Sequence, residues 1–177
     1  MAISRCPDLD VEVEWRPFFL RPYTPIEGTP KAPDTPQNPR VGAAMKAAGK
    51  AVGIDFTGRC DRTPNTLLAH CLLAYCGKEK GMAAQNELQE LLFKAYFTDG
   101  DFPDEEYLVS AAASVGISSE DATQLFNDAD AKQALLREAS RNARDTSGVP
   151  YFSFNGQPAF SGAQEPETFV EIFKQLK

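Results

Sequence analysis

A chain of 177 residues, 42% hydrophobic and 24% charged, has the composition of one globular domain that buries a core of its own. Its net charge of −7, with no basic cluster, argues against nucleic acid and anionic membrane as partners, and no apolar run reaches transmembrane length. Cys6, Cys60, Cys71 and Cys76 stand at neither a Cys-x-x-Cys nor a zinc-knuckle spacing.

The first eight residues, Met1 to Asp8, lack an apolar signal core, so the chain as written is expected to be cytoplasmic. Free thiols are the default there. Cys71 and Cys76 lie five apart on one predicted helix, roughly 8–9 Å between Cα atoms, which is beyond disulfide reach. A bridge from Cys60 to either one is geometrically open, buried free thiols are the simpler reading, and Cys6 is expected to be exposed and able to couple two chains.

Val11, Val13 and Trp15 alternate with Glu12, Glu14 and Arg16, the period of a strand with one buried face, and Pro17 ends central pairing. Residues 21–39 carry Pro22, Pro25, Pro30, Pro33, Pro36 and Pro39 and read as an extended connector. From Arg40 to Val52 the stripe Val41, Ala44, Met45, Ala48 and Val52 predicts a helix, with Gly53 as its stop. Gly58 to Pro64 reads as a turn-rich loop. Asn65 or Thr66 then caps a helix to about Cys76, ended by Gly77 or Gly81. A third helix spans roughly Ala84 to Thr98, with Leu88, Leu91, Leu92, Ala95 and Tyr96 facing inward, and Asp99-Gly100-Asp101 breaks it. The next runs from Asp104 to Val115. Ser118 and Asp121 have capping-box spacing for a short helix, and a long polar helix covers about Asp130 to Arg144.

The C-terminal stretch is the most informative. Tyr151 to Phe154 reads as a strand, Asn155-Gly156 as a two-residue hairpin turn, and Ala159 to Ser161 as the return strand. Gln164-Glu165-Pro166-Glu167 opens a helix to Leu176, with proline near the first turn and acid on the positive dipole end. Gly148-Val149-Pro150-Tyr151, the hairpin and Ser161-Gly162-Ala163-Gln164 together resemble the C-terminal half of a DsbA-like thioredoxin fold. The resemblance is to the branch of FrnE-type dithiol oxidoreductases, 2-hydroxychromene-2-carboxylate isomerases and kappa-class glutathione transferases. Val11 to Phe18, Asn65 to His70 and Leu92 to Phe97 match the same branch in the same order.

The resemblance implies an α/β thioredoxin-like fold with a large helical insertion. Residues 11–20 and 148–177 would form an incomplete thioredoxin core, 21–39 the connector and 40–146 the insertion. The family's active-site motif, after a first strand, has no counterpart in this sequence, and the first strand and first helix are missing with it. That strand lies centrally, so without it the sheet closes up, borrows a strand from another chain in a homodimer, or exposes an edge.

The resemblance also implies a cis bond at Val149-Pro150, whose preceding backbone pairs with an extended peptide or glutathione. The bland alternative is that Pro150 simply starts a strand. Ser161, Gly162 and Gln164 precede a helix N-terminus suited to a carboxylate, as in the glutathione-using relatives; plain capping is the competing account and the slightly favoured one. Asn65 and His70 fall on a segment that faces the active site in relatives, although a lone helical histidine is more often a packing residue. Asp99 to Glu106 does not meet calcium-loop spacing and serves more simply as helix N-terminal charge.

The leading expectation is a DsbA-family thiol–disulfide oxidoreductase whose dithiol is absent from this chain. Either the catalytic strand lies upstream of Met1, or the chain is a non-catalytic relative that keeps the peptide groove. Its partners would be thiol- or disulfide-containing peptides, and no cofactor is needed. A glutathione-dependent transferase or isomerase is the second class, and it would need glutathione. A non-enzymatic interaction module using the open sheet edge is the third.

Overall fold

A computed structural model describes residues 1–144 and 146–176. Asp145 and Lys177, which the expected ranges 40–146 and 148–177 include, lie outside the described residues. The elements in order are β1 (Thr29–Pro30), α1 (Ala43–Ala51), β2 (Arg62–Thr63), α2 (Leu67–Lys80), α3 (Met82–Lys94), α4 (Glu105–Ser114), α5 (Ser119–Asn127), α6 (Ala129–Arg144), β3 (Tyr151–Phe154), β4 (Gln157–Ser161) and α7 (Pro166–Gln175). The fold is mixed α/β, rich in helix and with few strands.

The helical body is built around α2, which packs on α3, α4, α5 and α6. Its Cys71, Leu72, Leu73, Cys76 and Gly77 are all buried, as expected of a helix covered on several sides. Leu88 and Leu92 of α3, Leu108 of α4, Ile117, and Ala122 and Phe126 of α5 complete this core. The caps follow the sequence. Asp104 Oδ1 accepts from Tyr107 N (2.9 Å), and Ser118 Oγ accepts from Asp121 N (3.0 Å). Asp128 Oδ1 accepts from Asp130 N and Ala131 N at the start of α6. Past Lys94 the third helix widens into a π-helical turn, Ala95–Asp99, before Gly100 ends it.

A smaller core forms where Cys6, Val170 and Phe173 meet Leu9, Val11, Phe154 and Phe169. The β3–β4 hairpin supplies one wall. Asn155 and Gly156 take φ of 49° and 76°, as the type I′ turn requires. Phe152 and Phe160 stack edge-on against Phe169 at 5.0 and 5.2 Å between ring centroids, and Phe154 meets Phe173 at 5.8 Å. Cys6 is therefore buried, not exposed, because the N-terminal turn docks on α7, where Arg5 also pairs with Glu167 at 2.6 Å.

Four further expectations change. The segment from Val11 to Phe19 belongs to no ladder. Its alternation survives as burial: Val11, Val13 and Trp15 turn inward while Glu12, Glu14 and Arg16 stay exposed. Gln85 takes the place of a neighbouring strand. Its amide accepts from Trp15 N (2.9 Å) and donates to Trp15 O (3.0 Å). The stripe proposed for α1 is not a buried face, since Ala44, Met45, Ala48 and Val52 are exposed; α1 packs instead through Gly49, against Phe56. The proline-rich connector and the loop after Gly58 each contribute two residues to a short antiparallel pair, Thr29 opposite Thr63 and Pro30 opposite Arg62. β4 also starts earlier than expected, at Gln157, and bulges at Ala159, where the register shifts opposite Phe152 and Ser153 of β3.

The segment from Val11 to Thr24 is the strap between the two cores. It begins among Cys6, Val170 and Phe173. Asn142 Nδ2 donates to Pro17 O (2.9 Å), and Asn65 Nδ2 donates to Thr24 O (2.7 Å). Among the described residues no helix is long and apolar enough to cross a membrane.

Candidate functional site

The Val149–Pro150 peptide bond is cis. It lies at the entry to β3, and β4 returns beside it: Gly162 N donates to Pro150 O at 2.8 Å, and Tyr151 pairs with Ser161. Ser161 Oγ lies 3.3 Å from Ser147 Oγ, on the other side of Gly148. Four of the predicted site residues, Val149, Pro150, Ser161 and Gly162, thus form one corner. Val149 is 39% exposed, and its backbone N–H and C=O make no hydrogen bond among the described residues. β3 pairs only with β4, so its outer edge is open among the described residues and the sheet has not closed up.

Gln164 is exposed, and neither it nor Ser161 caps α7. The N-cap is Glu165, which makes no side-chain capping bond, so the simple capping account of this corner does not hold.

Asn65 and His70 form a second group on the helical body. Asn65 Oδ1 accepts from Leu67 N (2.9 Å) at the start of α2 while its amide holds the strap at Thr24. His70 Nδ1 donates to Thr66 O (2.7 Å), and its ring lies 4.8 Å from that of Phe19. Burial lowers the His70 pKa, with the Thr66 hydrogen bond opposing. No hydrogen bond or ring contact among the described residues joins this pair to the Val149 corner.

The thiols are remote from exchange chemistry. All four are free and buried. Burial pushes the Cys71 thiol up to about 11, with Lys132 opposing, and raises Cys76 as well. An exchange nucleophile must be an accessible thiolate, so none of these cysteines is prepared to attack. The corner offers backbone hydrogen bonds, two hydroxyls and an open strand edge, which suits binding rather than bond exchange. Shallow depressions on α5, around Ser119 and Thr123, and on α6, around Gln133 and Arg141, contain none of these residues.

Reasoning from the sequence missed Ser147 and Gln85. The signal for Ser147 was its place directly before Gly148. For Gln85 it was an amide three residues before Leu88 and seven before Leu92, on the inward stripe of its helix.

A search of curated proteins returned no significant match. Among solved structures, the chain is similar to a probable DsbA oxidoreductase from Streptomyces coelicolor, with 27% identity and a TM-score of 0.64 over 75% of this chain. The match spans 57% of that protein's length. The family model described as "DSBA-like thioredoxin domain" matches residues 2–174. With the cis-proline corner, the hairpin and the terminal helix in place, the chain belongs to the DSBA-like thioredoxin domain family.

Proposed function

We propose that this chain is the substrate-holding part of a FrnE-type thiol–disulfide oxidoreductase. It binds an extended thiol- or disulfide-containing peptide at Val149 and along the open edge of β3. Its own cysteines do not exchange. The observation that carries this reading is the unpaired backbone of Val149 at an exposed strand entry, beside an edge with no neighbouring strand among the described residues. An extended peptide added there gains main-chain hydrogen bonds that fix its register and little of its sequence. The family match and the Streptomyces neighbour support the lineage, and the buried thiols support binding without turnover.

The test is calorimetric titration with an extended peptide carrying a disulfide, beside a dithiothreitol-driven disulfide-reduction assay. Binding without turnover is expected. Val149→Pro removes one backbone donor and should weaken binding about 3- to 10-fold, the worth of one hydrogen bond, with the fold checked by circular dichroism. Unchanged binding in that variant, or turnover that disappears on replacing one cysteine by serine, would contradict the proposal. Oxidised and reduced glutathione belong in the same titration. Binding of glutathione alone would point instead to the transferase and isomerase branch.

A further inference from the structure

Helix α6 carries three arginines on one side. Arg137, Arg141 and Arg144 stand four and three residues apart, which sets them within about 60° of one another around the axis and over about 10 Å along it. All three are exposed, and with Gln133, Leu136 and Ser140 they line one shallow depression. The opposite side of α6 is the one that packs: Leu135 and Ala139 are buried, and Asn142 holds the strap at Pro17 O. None of the three arginines has an ion-pair or hydrogen-bond partner among the described residues. The local sequence explains this. The residues three and four positions before them, where a carboxylate would pair, are Ala134 and Gln133, then Glu138 and Arg137, then Arg141 and Ser140. Glu138, the one carboxylate among these, is half-buried on the flank and acts on Arg16 of the strap. The helix dipole favours Arg141 and Arg144 in the last turn. It does not account for Arg137, or for like charges set one above another, which oppose the helix.

The charge and length of this ladder select its occupant. Taking three positive charges from a chain of net charge −7 leaves −10, so the ladder is a positive island in a negative chain. Asp130, exposed on the same side of α6 two turns before Arg137, closes its N-terminal end. A nucleic-acid duplex, with one charge per ~1.7 Å, would run off the ladder onto like charge. A short set of carboxylates spaced as the arginines are would not. We propose that this side of α6 docks an acidic polypeptide segment of a partner protein, with three carboxylates over about 10 Å, one to each arginine. Leu136, 37% exposed at the edge of the depression, gives the segment an apolar contact. No helix of this chain carries three acids at that spacing. Its exposed alternating acids Asp10, Glu12 and Glu14 fall one short, because Glu14 already pairs with Arg16 at 2.9 Å. The partner is therefore a different chain. The proposal goes beyond the peptide-binding reading at Val149 and does not depend on it.

Fluorescence anisotropy tests this, with the full chain titrated into a labelled helix-forming peptide that carries glutamate at positions i, i+4 and i+7, the spacing of the arginines. A peptide with glutamine at those positions is the comparison. At low salt, about 50 mM, saturable binding of the glutamate peptide alone is expected, and it should weaken as salt is raised. Arg137→Gln should weaken it about two- to fivefold, and Arg137→Gln with Arg141→Gln and Arg144→Gln at least about tenfold. Arg21→Gln with Lys46→Gln and Lys50→Gln removes the same charge elsewhere and should leave binding within about twofold. All six side chains are exposed, so circular dichroism should report an unchanged fold. Absence of saturable binding, or equal losses from the two triple changes, overturns the proposal. So does tighter binding of a single-stranded oligonucleotide of similar length, or self-association of the chain that the three α6 changes abolish, which would give the ladder to a second copy.

Discussion

Replacing Gln85 by leucine should loosen the strap more than any other single polar change on α3. The Gln85 side chain is 3% exposed, and its amide makes three hydrogen bonds: from Trp15 N (2.9 Å), to Trp15 O (3.0 Å) and to Leu73 O (3.2 Å). Leu73 O sits within α2, so losing its extra donor costs little. Trp15 is different, because its N–H and C=O have no strand to turn to. Leaving a half-buried donor and acceptor unmet costs about 1–3 kcal/mol each at full burial, so about 2–4 kcal/mol is expected for the pair. For a chain of this size that lowers Tm by about 4–16 °C. Leucine nearly matches glutamine in volume, so cavity formation contributes little. The assay is thermal unfolding followed by circular dichroism, beside Asn86→Ala as a control. That control removes only the bond to Trp15 Nε1 (2.9 Å) and should cost about 1 kcal/mol or less. Amide hydrogen exchange at Trp15 should accelerate in Gln85→Leu and not in the control. A Tm within about 2 °C of the parent, with Trp15 still protected, would refute the claim that the Gln85 amide stands in for a strand.

Gly100→Ala and Gly53→Ala should separate close approach from backbone strain. Both positions have positive φ, but a Cβ at Gly100 would lie 2.5 Å from Arg59 Cβ, whereas at Gly53 nothing lies within 4 Å. Gly53→Ala should cost about 1–2 kcal/mol and Gly100→Ala at least about 1 kcal/mol more from the clash, read by urea unfolding; equal costs would refute the contact. His70 has a lowered pKa, so the folded state prefers it neutral. Its contribution is complete above the ordinary value of 6.5 and is lost as pH falls below that value. His70→Phe should therefore flatten the fall in Tm between pH 7 and pH 5, and an unchanged slope would contradict the burial. With the Cys71 thiol near 11, about one molecule in a thousand carries its thiolate at pH 8. The native protein should react with Ellman's reagent slowly at all four thiols, and rapidly once guanidinium is added. A fast native thiol would contradict their burial.

The helices were legible because their ends are written locally. Asp104, Ser118 and Asn65 each carry the oxygen that meets an orphan backbone N–H, and Asn155-Gly156 specifies its turn without help from the rest of the chain. Val149, Pro150, Ser161 and Gly162 were singled out through the family resemblance, as two separate sites, and that the hairpin brings them to one corner is seen only in the fold. What the sequence did not reveal depends on distant partners. Alternation from Val11 to Arg16 records which side chains turn inward, but it cannot say whether a strand or an amide answers the backbone. Cys6 looked terminal and exposed, and only the apolar face of α7 around Val170 and Phe173 explains its burial. The α1 stripe failed because small residues fit any face. The helix leans on Gly49, where the lack of a side chain admits Phe56.

The most direct test of the central claim is an NMR titration of the full chain with an extended peptide carrying a disulfide. The account predicts shift changes concentrated at Gly148, Val149, Ser161 and Gly162 and along the amides of β3. The Cβ shifts of Cys6, Cys60, Cys71 and Cys76 should stay those of reduced thiols. Changes centred elsewhere, or oxidation of any of the four cysteines as the peptide is reduced, would contradict it.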